Sequence, residues 1–242
     1  MEADYTAAYA RLYREHWWWR VREHIVLRKI REIRAGKPAA RILDVGCGAG
    51  VFFDALEQFG DIQGVESDAT AVAQSGRWRR CIHVGQLDDS FDPGHSFDLI
   101  LLLDVLEHID RPEEVLRRAA ELLAPDGRIL ATVPAFEWLW TSHDDLNHHL
   151  RRYTAPEMRT LLTRAGLTPV ETRYLFQSLL LPKLAVRMRE MLTSSASGIP
   201  RIPARLVNSA LQTWYGLEHD IAGRLPFGSS VMAVARRALG PT

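Results

Sequence analysis

Two acidic residues and a glycine-rich turn form the most informative chemical pattern in the sequence. Asp44 ends a short apolar run, and Gly46, Gly48 and Gly50 follow it within six positions. Glycines let a ligand approach the backbone closely. A carboxylate beside them repels a pyrophosphate and attracts a cation such as an amino-acid ammonium group. The turn is therefore predicted to hold a positively charged ligand.

The spacing of these glycines argues against a dinucleotide site. The dinucleotide fingerprint is G-x-G-x-x-G, and Val51 occupies the position of its third glycine, counted from Gly46. Glu66 lies twenty positions after Gly46, at the end of the next predicted strand, where a carboxylate can accept hydrogen bonds from both hydroxyls of a ribose. An acid for an ammonium group, glycines for close approach and an acid for a ribose together indicate S-adenosylmethionine (SAM).

Alternating strand-like and helix-like runs predict the fold that positions these residues. Such alternation is typical of parallel βαβ units. We therefore predict an α/β fold with a Rossmann-like, seven-stranded, mostly parallel sheet and helices on both of its faces. The predicted strands are Arg41–Val45, Ile62–Glu66, Arg80–Val84, Phe97–Leu103, Gly127–Val133, about Thr168–Tyr174 and Ser229–Arg236.

The 242 residues are predicted to form a single domain. Its parts are an N-terminal helical lid (1–38), a SAM-binding core (39–174), a helical insertion or cover (175–228) and a last strand with a tail (229–242). Thr154 and Glu157 are typical of a helix start, and Gly166 is typical of a left-handed helix end.

Composition excludes several classes of protein. Lys plus Arg and Asp plus Glu both number 30, so the chain lacks the positive charge of a general nucleic-acid binder. The N-terminus carries acids and arginines where a secretory peptide needs an apolar stretch, and we expect a cytoplasmic protein. Cys47 and Cys81 form neither a disulfide framework nor a metal set, and both are expected to be reduced.

In combination, the motifs resemble those of the class I SAM-dependent methyltransferases, over about residues 39–174 and the final strand. LDVGCGAG is similar to the first motif of that family, GVESD to the second, and VGQLDD to the segment that holds the adenine ring. LLLDVLEHIDRPEEVL and LLAPDGRILATVP resemble the fourth and fifth strands of the branch that includes ubiquinone-pathway and many small-molecule methyltransferases.

The resemblance implies a set of donor-binding residues, with S-adenosyl-L-homocysteine (SAH) as the product. Cys47 also has a simpler interpretation, as a small residue in a tight turn, and Asp68 is interpreted as the cap of the next helix. For Asp104, a contact with the methionine part of SAM remains one of two open alternatives. The predicted donor-binding residues are Asp44, Gly46, Cys47, Gly48, Glu66, Ser67, Gln86, Leu87 and Asp104.

A polar and aromatic cluster after the fifth strand is the predicted acceptor side, where the family often builds this pocket. Methyl transfer to a hydroxyl or ammonium needs a group that takes a proton. We predict His143 as that base, oriented by Asp144, or as a substrate-positioning group, and Trp140 and Tyr153 as substrate contacts. A metal site from His143, Asp144 and His148 matches no standard ligand spacing, so no metal is predicted.

Two flanking segments have several open interpretations. Trp17, Trp18 and Trp19 cannot all face one core on a helix, so the N-terminal helix is predicted to cover the donor, with an indole or Arg22 reaching the site. The insertion is interpreted as a substrate cover, a homodimer surface or, through residues 175–193 with their interleaved basic residues, a weak membrane-surface contact.

The predicted function is methyl transfer from SAM to an oxygen or nitrogen of a small organic acceptor. The alternative of another class is a SAM-binding regulatory or scaffold protein without methyl transfer. An NAD-linked oxidoreductase is a third hypothesis, because the fold is shared.

Overall fold

A seven-stranded sheet forms the centre of the protein. The computed structural model describes residues 11–193, 200–221 and 225–238. The sheet order is β3-β2-β1-β4-β5-β7-β6; β7 runs antiparallel to β5 and β6, and the other pairs are parallel. This confirms the predicted mostly parallel, Rossmann-like sheet. The strands are β1 (Ala40–Val45), β2 (Gly60–Glu66), β3 (Ile82–Val84), β4 (Phe97–Leu103), β5 (Leu123–Pro134), β6 (Leu167–Leu175) and β7 (Ser230–Arg237).

Helices surround this sheet, and the predicted insertion contributes two of them. Short 3-10 turns occur at Glu57–Phe59, Gly76–Cys81, Leu106–His108 and Glu137–Leu139. The first ten residues of the predicted N-terminal helical lid (1–38) lie outside the described residues; residues 11–15 are helical. The α-helices that we number are α1 (Trp17–Arg34), α2 (Phe53–Leu56), α3 (Ala69–Ala73), α4 (Pro112–Leu122), α5 (Ser142–Leu146), α6 (Ala155–Arg164), α7 (Leu180–Thr193) and α8 (Arg205–Ile221).

The core has two layers, one on each face of the sheet. Leu43 and Ile100 pack into one layer, whereas Ile42 and Leu99, their neighbours along the strands, pack into the other. Alternate residues of a strand point to opposite faces, so a central strand covered on both faces must be apolar throughout. This explains why the sequence of β4 is continuously apolar from Leu99 to Leu103.

Local signals fix several element ends. The Thr154 side chain accepts a hydrogen bond from the Glu157 backbone N–H and the Glu157 carboxylate accepts one from the Thr154 N–H, which confirms the predicted helix start. Gly166 adopts φ of +78°, as a left-handed helix end requires. β5 begins earlier than predicted because Leu123 already pairs with Phe97, before an irregularity in the register.

The topology places a crevice at the carboxyl ends of the central strands. The chain proceeds from β1 towards β2 and β3 on one side, and from β4 towards β5 on the other. Open α/β sheets bind their ligands at such a point of reversal. Asp44, Glu66 and Asp104 all lie at or just beyond the carboxyl ends of their strands.

The tryptophan triplet of α1 has packing partners on more than one side, as its spacing required. Trp17 stacks on Tyr215 of α8, with ring centroids 4.7 Å apart, and Trp18 packs near Phe176 at 6.0 Å. Trp17 and Trp19 are both buried. The insertion therefore supplies a second surface for α1. Within the described part of the chain, no helix has both the length and the apolarity needed to cross a bilayer.

Candidate active site

The glycine-rich turn after β1 needs glycine for two different reasons. Gly46 has φ of +68°, and a Cβ placed on it would lie only 2.6 Å from Cγ2 of Val105. Gly48 has φ of +55°, but a Cβ there would meet nothing within 4 Å. The first glycine is thus required by the packing of the turn, whereas the space beside the second is open. A ligand could approach the backbone at Gly48.

Glu66 connects the end of β2 to this turn. Its Oε2 accepts a hydrogen bond of 2.8 Å from the Gly48 N–H, and its Oε1 accepts one of 2.8 Å from the Asp68 N–H. Each carboxylate oxygen can accept more than one hydrogen bond, so ribose hydroxyls could bind to the same group. The side chain is partly buried at the edge of the crevice.

Asp44 is a buried carboxyl group at the centre of the crevice. It is only 4% exposed and has no hydrogen-bond partner among the described residues. Burial raises the pKa of Asp44 to about 7; the charge of Arg22 opposes this increase and that of Glu66 adds to it. A cation placed beside Asp44 would restore its ionised form.

Arg22 reaches from α1 across the carboxyl ends of β4 and β5. Its Nη2 lies 2.8 Å from Oδ2 of Asp104 and donates to Oγ1 of Thr132 at 3.1 Å. The Thr132 hydroxyl donates in turn to Oδ1 of Asp104 at 2.9 Å. Asp104 has φ of +58°, a costly conformation for a residue other than glycine. Arg22 was one of two alternatives for a side chain of the N-terminal helix that reaches the site, the other being an indole, and it is ion-paired with Asp104.

The other predicted donor residues differ in how accessible they are. Ser67 and Gln86 are exposed beyond the ends of β2 and β3, whereas Leu87 is buried in the core at 4% exposure. Cys47 is also buried, and its Sγ lies beneath Gly64, where an added Cβ would be only 2.5 Å away. Burial raises the pKa of the Cys47 thiol, so it is not an activated nucleophile.

Asp68 caps a helix, as predicted. Its side chain accepts hydrogen bonds from the backbone N–H groups of Thr70 and Ala71 at the start of α3. Hydrogen bonds from Thr70 lower the pKa of Asp68. Its role is therefore local.

On the acceptor side, Asp144 is the centre of a buried ion pair. It is fully buried, and Arg152 grips both of its oxygens, at 2.9 Å from Nε and 2.7 Å from Nη2. His149 contacts Oδ1 through Nδ1 at 2.7 Å. The Thr141 backbone N–H also donates to Oδ2, at 2.8 Å. The imidazole that contacts the Asp144 carboxylate here is that of His149, and the orientation of His143 by Asp144 stays a prediction.

His143 lies beside this pair and is partly buried. Burial lowers the pKa of His143 to about 4, and the positive charge of Lys183 contributes to this shift. The Nε2 atom lies 3.1 Å from Nδ2 of Asn147. The imidazole is therefore neutral at physiological pH and a weaker base than one with a pKa near 7.

Trp140 and Tyr153 occupy different environments. The Trp140 indole N–H donates to Oδ1 of Asp145 at 2.9 Å, and the ring is partly buried. Tyr153 is buried at 6% exposure, and its hydroxyl donates to the Leu106 carbonyl at 3.1 Å. The tyrosine thus braces the 3-10 turn after β4, whereas Trp140 retains accessible surface.

One cluster that could ligate a metal was not singled out from the sequence. Glu107, His108 and His149 each offer one ligand atom, and these atoms lie within 4.8 Å of one another. Glu107 is fully buried, and neither of its carboxylate oxygens is hydrogen-bonded to a residue that the structure describes. Burial and the charge of Asp104 raise its pKa well above the ordinary range. Glu107 lies in the mixed polar and apolar segment LDVLEH, whose residue spacing did not predict its burial.

A surface concavity of about 460 Å³ lies elsewhere, at the amino ends of β1 and β2. Arg31, Arg34, Lys37 and Glu57 are among its lining residues. Parallel sheets place their chemistry at the opposite, carboxyl ends of the strands. We therefore assign no part in the reaction to this concavity.

Comparisons with known proteins agree with this geometry. Residues 18–172 match a family model described as a methyltransferase domain. A ubiquinone biosynthesis O-methyltransferase from Neisseria meningitidis is 26% identical over 192 residues, which cover 66% of this chain and 79% of that protein.

Solved structures share the fold at low sequence identity. A chain in the complex between the Trm112 methyltransferase activator of Haloferax volcanii and a methyltransferase superposes with a TM-score of 0.63 at 20% identity, covering 100% of this chain and 98% of that one. Magnesium protoporphyrin IX methyltransferase from Synechocystis, with SAH bound, gives a TM-score of 0.54 at 14% identity, covering 89% and 82%. The family match covers more than half of the chain. The chain therefore belongs to the methyltransferase domain family, as its sequence motifs indicated.

Proposed function

We propose that the protein transfers the methyl group of SAM to an oxygen or nitrogen of a small organic acceptor. The observation that carries this proposal is Asp44, a buried carboxyl group without a hydrogen-bond partner among the described residues, next to the open backbone at Gly48. A cationic ligand that approaches the turn would satisfy both features.

The residues of the crevice fit SAM in its separate parts. Asp44 would attract the ammonium group, Gly46 would shape the turn, and Gly48 would allow a ligand to approach the backbone closely. Glu66 would accept hydrogen bonds from the ribose hydroxyls. The remaining predicted contacts, to the adenine and the methionine part, are Cys47, Ser67, Gln86, Leu87 and Asp104.

When bound, SAM supplies an electrophilic methyl group on a sulfonium. The chain's own contribution is to align the acceptor with that methyl group and to exclude water. Arg22, held by Asp104 and Thr132, places α1 over the crevice. Trp140 and His143 are the proposed contacts for the acceptor, with the neutral imidazole of His143 as a hydrogen-bond partner. Asp144 and Tyr153 support this side through their buried hydrogen bonds.

Oxygen is the favoured acceptor atom. The Neisseria meningitidis relative is a ubiquinone biosynthesis O-methyltransferase. The balanced charge of this chain, with 30 basic and 30 acidic residues, does not favour a nucleic-acid acceptor.

The outer surface of the insertion supports a contact with an anionic lipid bilayer. Leu192 is 82% exposed, Leu206 86% and Ile221 83%. Arg201, before α8, and Arg205, at its first position, are both exposed. Among the residues of 178–221 whose exposure the structure describes, no exposed residue is acidic. Apolar side chains flanked by arginines are typical of helices at anionic membrane surfaces.

Flotation with vesicles tests this contact. The protein should float with phosphatidylglycerol vesicles and not with phosphatidylcholine vesicles, and Leu192→Asp together with Leu206→Asp should abolish flotation. If light scattering instead shows a dimer that these changes dissociate, with no flotation, the face binds a second copy of the chain.

Methyl transfer itself is tested with methyl-labelled SAM and a panel of hydroxy, amino and carboxylic compounds. The result expected for an enzyme is a product heavier by about 14 mass units, plus the isotope shift of the label, for each methyl group transferred. Tight SAM binding without transfer to any class would instead support a regulatory or scaffold protein.

A further inference from the structure

Helix α7 turns charged residues towards the protein and most of its apolar residues towards solvent, the opposite of an ordinary surface helix. Its partly buried positions are Leu180, Lys183, Leu184, Arg187 and Glu190, which follow helical spacing and include three charged residues. A helix that covers a core normally turns apolar residues inward. The inner face of α7 therefore covers a polar space. The exposed positions are Leu181, Pro182, Ala185, Val186, Met188, Arg189, Met191, Leu192 and Thr193.

Glu190 fixes this polar face over the acceptor side. Its Oε2 accepts a hydrogen bond from the Ser142 N–H at 3.0 Å, and its Oε1 accepts one from the Ser142 hydroxyl at 2.7 Å. Ser142 opens α5 and is followed directly by His143. Lys183 lies seven residues before Glu190 on the same face, a separation of two helical turns.

The charges around Lys183 are already paired with one another. Its ammonium group interacts electrostatically with Arg152, Asp144 and Asp104, and its charge also acts on His143. Asp144 is held by Arg152, at 2.7 Å, and Asp104 by Arg22, at 2.8 Å. The side chain of Lys183 has no hydrogen bond or ion pair with any residue that the structure describes.

Lys183 is therefore a partly buried cation without a counterion of its own among the described residues. Burial lowers the pKa of Lys183 to about 8, and Arg152 contributes in the same direction. The amine remains mainly protonated at pH 7. Partial removal of such a charge from water costs free energy unless a ligand supplies the negative partner.

We propose that Lys183 is an acceptor-binding residue and that the acceptor presents an ionised oxygen, a phenolate or a carboxylate, to its ammonium group. This inference rests on the proposed methyl transfer and names its substrate class. For a phenolic acceptor, the proton leaves to water on binding. The O–CH3 bond then forms as the S–CH3 bond breaks, and the electron pair of that bond goes to sulfur.

The test uses 4-nitrocatechol, whose absorption reports its ionisation, bound to the full chain with SAH. The wild type should bind the ionised form at a pH below the pKa of the free probe. Lys183→Met should weaken binding by about tenfold or more and lose the ionised spectrum. Lys183→Arg keeps the charge and should stay within about threefold of the wild type. Competition by 4-nitrobenzoate would identify a carboxylate as an accepted oxyanion, and absence of competition would identify the phenolate.

A matched control and a separate SAH titration make the result specific. Arg189→Met removes one positive charge from the exposed side of the same helix and should leave probe binding unchanged. Equal affinity and spectrum in Lys183→Met, or no probe binding by the wild type, would overturn the role of Lys183. Normal SAH binding in these proteins would leave the proposed donor site intact, whereas loss of SAH binding in the wild type would contradict the proposed function itself.

Discussion

The donor and acceptor sides of the crevice are built by different means. On the donor side, the backbone of a glycine turn and three carboxylates at or just beyond strand ends form the site, and Gly48 leaves open space. On the acceptor side, buried side chains pair with one another, with Asp144 gripped by Arg152 and His149. The proposed donor side leaves open space for a ligand, whereas the acceptor side is arranged around its own ion pairs.

Because of this difference, we expect changes on the donor side to affect ligand affinity and changes on the acceptor side to affect stability. A donor-side carboxylate that waits for a ligand contributes little to the fold, and removing it should cost affinity. A carboxylate in a buried ion pair is tied to its partner, and removing it leaves an uncompensated charge. Four predictions follow this division from the largest effect to the smallest.

The largest effect is expected for Asp144→Ala. It leaves the Arg152 guanidinium buried without a counter-ion and should lower the free energy of unfolding by about 3–5 kcal/mol. Urea denaturation measures this value. Asp145→Ala is the control, because its exposed carboxylate only accepts a hydrogen bond from Trp140 and should cost under about 1 kcal/mol. Similar losses in both variants would contradict a structural role specific to Asp144.

Glu66→Ala should cost affinity rather than stability. Loss of the hydrogen bonds from a ribose to a charged group should weaken SAM binding by about a hundredfold, close to 3 kcal/mol. Asp68→Ala is the matched control: it removes a helix cap worth about 1 kcal/mol of stability and should leave SAM affinity unchanged. Calorimetry gives both affinities, and unchanged binding by Glu66→Ala would mean that the ribose assignment is wrong.

SAM affinity should depend on pH through Asp44. Because its pKa is raised to about 7, binding a cation requires loss of a proton below that pH, and affinity should be about fivefold weaker at pH 6 than at pH 7. Ionisation of the buried carboxyl also makes the donor-free fold less stable as pH rises from about 4 through 7. Asp44→Asn should bind weakly and without this dependence; a pH profile identical to that of the wild type would exclude Asp44.

His143→Ala should have the smallest effect. We expect turnover to fall by less than about tenfold with SAM affinity unchanged, because a neutral imidazole contributes a hydrogen bond rather than efficient proton transfer. The pKa of His143 near 4 also predicts no titration of turnover by this residue above about pH 5. Full activity in the variant would remove His143 from the acceptor site.

The sequence signals for the proposed donor side are local. Asp44, the glycines and Glu66 stand at fixed offsets from apolar strands, and strand ends converge in a parallel sheet. The capping of α3 by Asp68 was also readable, since a helix cap involves residues only a few positions apart.

The acceptor side depends on contacts that no local spacing encodes. His149 meets Asp144 from five positions further along the chain, after the turn through His148 at φ of +55°. Glu107 is fully buried although its neighbours in sequence include Asp104 and His108. Lys183 faces inward on a helix whose exposed positions are mostly apolar. A prediction that assumes apolar residues inside assigns such a helix the wrong face.

Calorimetric titration of the wild-type chain with SAM and, separately, with NAD tests the central claim most directly. We predict one-to-one binding of SAM and none of NAD, because a carboxyl group lies where a pyrophosphate would be. Tight binding of NAD with no heat from SAM would contradict the account.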